Sequence, residues 1–236
     1  MGATSYSEII SAAEVLAADD EIADVIMTID SGGGAVAGMN ACTDALRKLR
    51  ESGKLKASYT DRVCGSAAYA LACQAPQIIA KTTGDIIGSI GVMAYQVRYK
   101  DEESVAIRGE NSKDKNADAF TEAGYQVQKA QIDDMESLYL ATCAEGRGVD
   151  VGVVKATYGN GKIMSAQRAI DCVMIDSIAS QSGTVGGQSA GISAENKPNL
   201  TAQDSEQQLT ANGDIMNKAE LQAKHPELML KSKRKA

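Results

Sequence analysis

The 236-residue chain has a single histidine, His225, which lies in a polar segment near its C-terminus. A mechanism that needs an imidazole base inside a folded core is therefore close to excluded. Cysteine is scattered: Cys42, Cys64, Cys73, Cys143 and Cys172 stand singly, an odd number with no CxxC spacing. That pattern speaks against a disulfide framework and against a zinc site, and for reduced thiols in a cytosolic compartment. No apolar run reaches the ~18 residues that a membrane span requires. The first residues also lack the basic-then-apolar order of a secretory signal. Positive charge is in deficit, with 24 Lys and Arg against 31 Asp and Glu for a net charge of -7, which argues against a nucleic-acid surface.

What remains is 44% hydrophobic and 23% charged, the balance of a globular chain long enough to bury a core in one large domain or two small ones. Ile9, Ala13 and Leu16 are spaced for a helix over residues 6–19, with Ser7 as a candidate cap. Ala23–Ile29 is a short β-branched run, typical of a buried strand, and it stops at Asp30-Ser31-Gly32-Gly33-Gly34. Val36, Met39, Leu46 and Leu49 predict a second helix, whose end carries Arg47, Lys48 and Arg50, where cations suit the dipole. Leu55–Thr60 reads as a strand, and Gly65-Ser66 opens an Ala-rich helix running to about Gln74. Further strands are expected at Gln77–Lys81, Ile86–Tyr95, Val105–Arg108 and Val173–Ile175, and helices at 119–145 and 165–172. Strand, glycine turn, helix, strand, serine turn, helix is the order of an α/β domain. After Ala179 the composition turns to Gly, Ser, Gln, Asn and Thr with no aromatic residue. Residues 1–180 therefore read as the folded domain and 181–214 as a disordered linker, since such a stretch buries too little apolar surface to offset its ordering entropy. Residues 215–236 read as a short helical, basic tail.

Two strand-to-helix turns carry the chemistry. In Asp30-Ser31-Gly32-Gly33-Gly34, successive glycines let backbone N–H groups approach a ligand. A tight turn, an oxyanion hole and a phosphate cradle all suit it, the last least, because neither GxGxxG nor GxxxxGKS/T fits. In Cys64-Gly65-Ser66-Ala67-Ala68-Tyr69, a serine follows a glycine among small residues, the setting of a nucleophile elbow whose next backbone N–H can donate to an oxyanion. Ser66 as a simple helix cap is the plainer alternative. Cys64 is a rival nucleophile, but it lies on the strand side and lacks a histidine partner. Without an imidazole, the base left for Ser66 is a lysine kept neutral by burial, as in Ser-Lys variants of triad chemistry. Candidates lie in the polar run Arg108–Asn116, which otherwise reads as a solvated loop.

Together these segments resemble the signal peptide peptidase A (protease IV) family, which includes the capsid maturation proteases of tailed phages. The carriers are IDSGGGAVAG, CGSAAYALACQA, GDIIGSIGVM, GENSKDKNAD and GKIMSAQRAIDCVMIDSI, in family order over about residues 6–180. The resemblance implies a ClpP/crotonase-like ββα spiral and a Ser66 nucleophile. It further implies Lys113, or alternatively Lys115, as general base. The oxyanion hole would be formed by N–H groups of Gly33 or Gly34 and of Ala67, with no cofactor and no metal. It also implies a homo-oligomer and a peptide or protein substrate. Gly32 stands where the family has proline, and Val173 where it has glycine. The family's additional strand before the first helix is not evident. The tail, with Met216 as a candidate internal start, fits the phage branch: a head protease in the host cytoplasm or prohead, acting on capsid and scaffold proteins. A bacterial signal peptide peptidase, a crotonase-like acyl-CoA enzyme and a catalytically silent scaffold subunit are the competing readings.

Overall fold

The β-branched run after Ala23 does form a strand, but only its Ile29 is buried and Ile26 is 64% exposed, because it lies at the margin of the sheet and pairs with a single neighbour. A computed structural model describes residues 4–98 and 106–179. The expected linker and basic tail, with Met216 and His225, lie outside the described residues. Helix α1 (Tyr6–Ala18) is started by Ser5 rather than Ser7. The Ser5 hydroxyl accepts the Glu8 N–H at 3.2 Å, and the Glu8 carboxylate accepts the Ser5 N–H at 2.7 Å. This reciprocal capping box is what the S-x-x-E spacing from Ser5 encodes. Strand β1 (Val25–Ser31) and helix α2 (Met39–Glu51) flank the glycine turn. Strand β2 (Leu55–Gly65) runs 11 residues, five beyond the sequence expectation, before helix α3 (Ala67–Ala72).

The sheet forks at β2. Its residues 58–60 pair in parallel with both β1 and β3 (Ile78–Ala80), while Cys64 pairs with both Ser31 and Ile87 of β4 (Ile86–Gly88). Strands β3 and β4 therefore line the same edge of β2, one after the other, opposite β1. Arg62, with φ +86, marks the bend between the two stretches, and its guanidinium pairs with Asp30. The β3–β4 connection is held by buried Asp85, which accepts the Lys81 N–H (2.8 Å), the Thr82 N–H (3.3 Å) and the Thr82 hydroxyl (2.8 Å).

Beyond the sheet centre come the long helix α4 (Glu122–Arg147), α5 (Val151–Thr157), β5 (Ile163–Ser165), α6 (Ala166–Asp171) and β6 (Ser177–Ile178). Strand β5 lies antiparallel to β4, and β6 parallel to β3. All six residues of α3 are buried, so this helix is the hub of the main core, with Tyr139, Cys143, Ile78, Ile87 and Met174 around it. A second cluster, centred on Ala13, Leu46, Leu49 and Leu55, seals α1 and α2 against the start of β2. Arg147, its side chain 3% exposed, ties the end of α4 to the closing segment through both oxygens of Asp176 (2.9 and 3.0 Å). No helix among the described residues is long and apolar enough to cross a membrane.

Three expected strands differ. The one at Ile86–Tyr95 ends at Gly88, because Gly88, Ser89 and Gly91 all have positive φ and turn the chain out of the ladder. Residues 106–108 join no strand among the described residues, and Ile107 is 95% exposed. The strand expected at Val173–Ile175 is displaced to Ser177–Ile178. Val173, at φ +60, forms the left-handed residue of a Schellman ending to α6, with Val173 N–H on Ile170 O and Met174 N–H on Ala169 O, both 2.8 Å. That conformation accounts for the glycine the resemblance led us to expect at 173. Helix α5 and strand β5 were not anticipated; their seven and three residues fall below the length at which periodicity identifies an element.

Candidate active site

Ser66 occupies the single residue between the end of β2 and the start of α3, with φ +49 and ψ −128. A non-glycine residue in that region is strained, by about 1–3 kcal/mol. Three anchors hold it there. Its N–H donates to Gly88 O at 2.8 Å, and its carbonyl accepts the Tyr69 N–H at 2.9 Å and the Ala70 N–H at 3.3 Å. The Tyr139 hydroxyl donates to the same carbonyl at 2.8 Å. The serine is therefore more than a helix cap: its side chain accepts no cap bond, and its hydroxyl has no partner among the described residues.

The glycine turn lies directly against this elbow. A Cβ placed on Gly33 (φ +114) would stand 2.6 Å from the Ser66 Cβ and 3.1 Å from the Ala67 nitrogen. A Cβ on Gly65 would stand 3.2 Å from Gly32 O. Backbone meets backbone here, which is why the turn needs glycines. The Gly33 N–H is engaged by the Ser31 hydroxyl at 3.2 Å. The N–H groups of Gly34 and Ala67 have no partner among the described residues. Ala67 is the first residue of α3, where helix geometry leaves N–H groups free. The turn is braced from α1, since the Tyr6 hydroxyl donates to Ala35 O at 2.6 Å and its ring lies under Gly38.

Cys64 does not qualify as the nucleophile. It is fully buried, and burial pushes its thiol far above the usual range, with Cys73 adding to the effect. Cys143, a free thiol hydrogen-bonded to the thiol of Cys73, is raised as well.

Lys113 and Lys115 are exposed, in a segment that opens with a single 3-10 turn at Glu110–Ser112. The Arg108 guanidinium holds that segment through the carbonyls of Lys115 and Asn116. Neither lysine forms an ion pair among the described residues. Among the described residues, Ser66, Gly33, Gly34 and Ala67 come together, while Lys113 and Lys115 are exposed. Sequence reasoning missed Ser31, Tyr6 and Tyr139 as supports of the site. Ser31 was visible in the glycine motif, but no local pattern marks two tyrosines that reach across 29 and 73 residues.

A sequence model described as Peptidase family S49 matches residues 48–186. Over 192 residues the chain is 26% identical to the head-tail preconnector protein of Enterobacteria phage P21, covering 78% of this chain and 38% of that protein. It is 22% identical over 192 residues to capsid assembly protease C of Escherichia phage lambda, covering 78% and 43% respectively. A shorter match, 37% over 91 residues, is to the probable protease SohB of Buchnera aphidicola subsp. Schlechtendalia chinensis, covering 39% and 29%. The chain spans less than half the length of each of these relatives.

Proposed function

The chain belongs to peptidase family S49, and from that premise we propose that it is a serine endopeptidase with a Ser-Lys dyad that processes capsid and scaffold proteins during phage head assembly. The observation that carries this reading is the strained Ser66 elbow, packed against Gly33 with the Ala67 N–H unpartnered beside it. In the proposed mechanism the Ser66 hydroxyl attacks the scissile carbonyl while a neutral lysine amine takes its proton. The N–H groups of Gly34 and Ala67 receive the developing oxyanion, and the lysine returns the proton to the leaving amine. Water then hydrolyses the acyl-enzyme by the same route in reverse. Each backbone donor is worth about 3 kcal/mol in the transition state.

Lys113 is the base in this reading, with Lys115 the alternative. Because both are exposed among the described residues, this reading has the amine dehydrated by assembly. Met93, Tyr95, Val97 and Ile107, all at least 65% exposed, lie in the segments bordering the lysine loop. A second copy covering them would shelter the amine and lower its proton affinity. The phage relatives named for head and capsid assembly support the substrate class. The test is hydrolysis of fluorescein-labelled casein, and of co-expressed capsid and scaffold proteins, by Ser66→Ala and by a Lys113→Met/Lys115→Met pair. Both variants are expected to lose about 1000-fold or more. Unchanged processing by Ser66→Ala would leave a silent scaffold subunit as the better reading.

A further inference from the structure

We infer that Tyr139 is a positioning residue: its hydroxyl fixes the Ser66–Ala67 peptide plane, so that the Ala67 N–H is held facing the oxyanion. The inference rests on Ser66 being the nucleophile. A trans peptide unit is rigid, with its C=O and N–H pointing in opposite directions. Whatever orients the Ser66 carbonyl therefore orients the Ala67 N–H. The carbonyl is turned into the main core, where it accepts the two α3 amides and the Tyr139 hydroxyl. The opposite edge of the same plane carries the Ala67 nitrogen, which lies against Gly33.

Tyr139 is well placed for this task. It is 1% exposed, and helix α4, which carries it, is seated so closely that a Cβ on Gly146 would stand 2.5 Å from Cys73 O at the end of α3. Burial beside Cys143 and Cys73 drives its phenol far above the ordinary range, so the hydroxyl stays a neutral donor at every working pH. Helix amides alone do not lock this carbonyl. Ser66 has φ and ψ outside the helical region, and the Ala70 bond is long at 3.3 Å. The tyrosine supplies a short bond from a different element, independent of fraying at the first turn of a six-residue helix. Because the carbonyl keeps two donors without it, Tyr139→Phe leaves no orphaned acceptor.

The test compares Tyr139→Phe with Tyr158→Phe in the full chain. Tyr158 is also 1% exposed and also donates to a carbonyl, the half-buried Val173 O at 3.3 Å, rather than to the elbow; its ring contact with Tyr69 is kept in Tyr158→Phe. Two readouts are used: kcat and KM on fluorescein-labelled casein, and the rate at which a fluorophosphonate labels Ser66. In the labelling step the Ser66 oxygen forms the P–O bond, fluoride leaves and the base takes the proton. Tyr139→Phe is expected to lower kcat and the labelling rate about tenfold or more, with KM within about twofold. Tyr158→Phe keeps the wild-type rates. Tyr139→Phe rates within about twofold of wild type, or equal losses in both variants, overturn the inference. If Tyr139→Phe does not fold, 3-fluorotyrosine at position 139 retains the ring and the bond while changing donor strength. An altered kcat with constant KM then supports the inference, and an unaltered kcat overturns it. A Ser66→Ala variant that still hydrolyses casein removes the underlying reading. An inert Ser66→Ala beside a fully active Tyr139→Phe removes only the role of Tyr139.

Discussion

Substituting Gly33 by alanine puts the geometry of the glycine turn to a quantitative test. Gly33 has φ +114, where an L-residue costs about 1–3 kcal/mol. The added methyl would also meet the Ser66 Cβ at 2.6 Å, about 1 Å inside a normal carbon–carbon contact. None of the three nearest atoms, Ser66 Cβ, Gly65 O and Ala67 N, is the far end of a flexible side chain, so turn and elbow must separate by roughly that 1 Å. A displacement of this size at reacting groups costs on the order of 100-fold in rate, comparable to the loss of one oxyanion donor. Gly33→Ala is therefore expected to lower kcat/KM on labelled casein about 100-fold and stability by about 1–3 kcal/mol in urea. Gly32→Ala, one residue earlier, is the internal control. A Cβ there meets nothing within 4 Å, and the residue is outside the left-handed region. It should keep activity within about twofold and gain about 0.4–1 kcal/mol. Equal activities for the two variants would refute the close approach of turn to elbow.

Three further outcomes follow from the packing. Asp176→Ala strands the Arg147 guanidinium, whose side chain is 3% exposed, and should cost about 3 kcal/mol in urea denaturation; that is the low end for a broken buried pair, because Asp176 is itself 29% exposed. A loss under about 1 kcal/mol would show that the pair is solvated. Val173→Gly relieves a β-branched residue held at φ +60 and should leave the melting temperature unchanged or higher, where a valine-to-glycine change elsewhere lowers it. All five cysteines are buried; burial raises the thiols of Cys42, Cys64 and Cys172, and the hydrogen bond with Cys73, together with burial, raises that of Cys143. Iodoacetamide at pH 8 should modify none in the native chain and five in guanidinium, and rapid alkylation of Cys64 would contradict its placement.

The parts of this molecule legible in its sequence are those where local chemistry decides the outcome. A β-branched run stopped by three glycines becomes β1 and its turn, and a serine between glycine and alanines becomes the elbow, because no other segment of the chain satisfies either requirement. The fork in β2 was hidden, since Asp61 and Arg62 interrupt the apolar pattern at a bend that the partner strands impose. Ile86–Tyr95 misled for the opposite reason, as its apolar residues continue past Gly88 while the backbone does not. The supports from Tyr6 and Tyr139 are tertiary contacts with no local signature. The surroundings of Lys113 were the least legible, because shelter for an amine depends on what covers the loop, and the described residues do not cover it.

The most direct test of the Ser-Lys chemistry is to map, by mass spectrometry, the site of a fluorophosphonate adduct on the assembled protein and on the Lys113→Met/Lys115→Met pair. One adduct on the peptide carrying Ser66, formed by the native protein and almost absent from the lysine variant, is the predicted result. An adduct on another residue, or equally fast modification of Ser66 without either lysine, would contradict it.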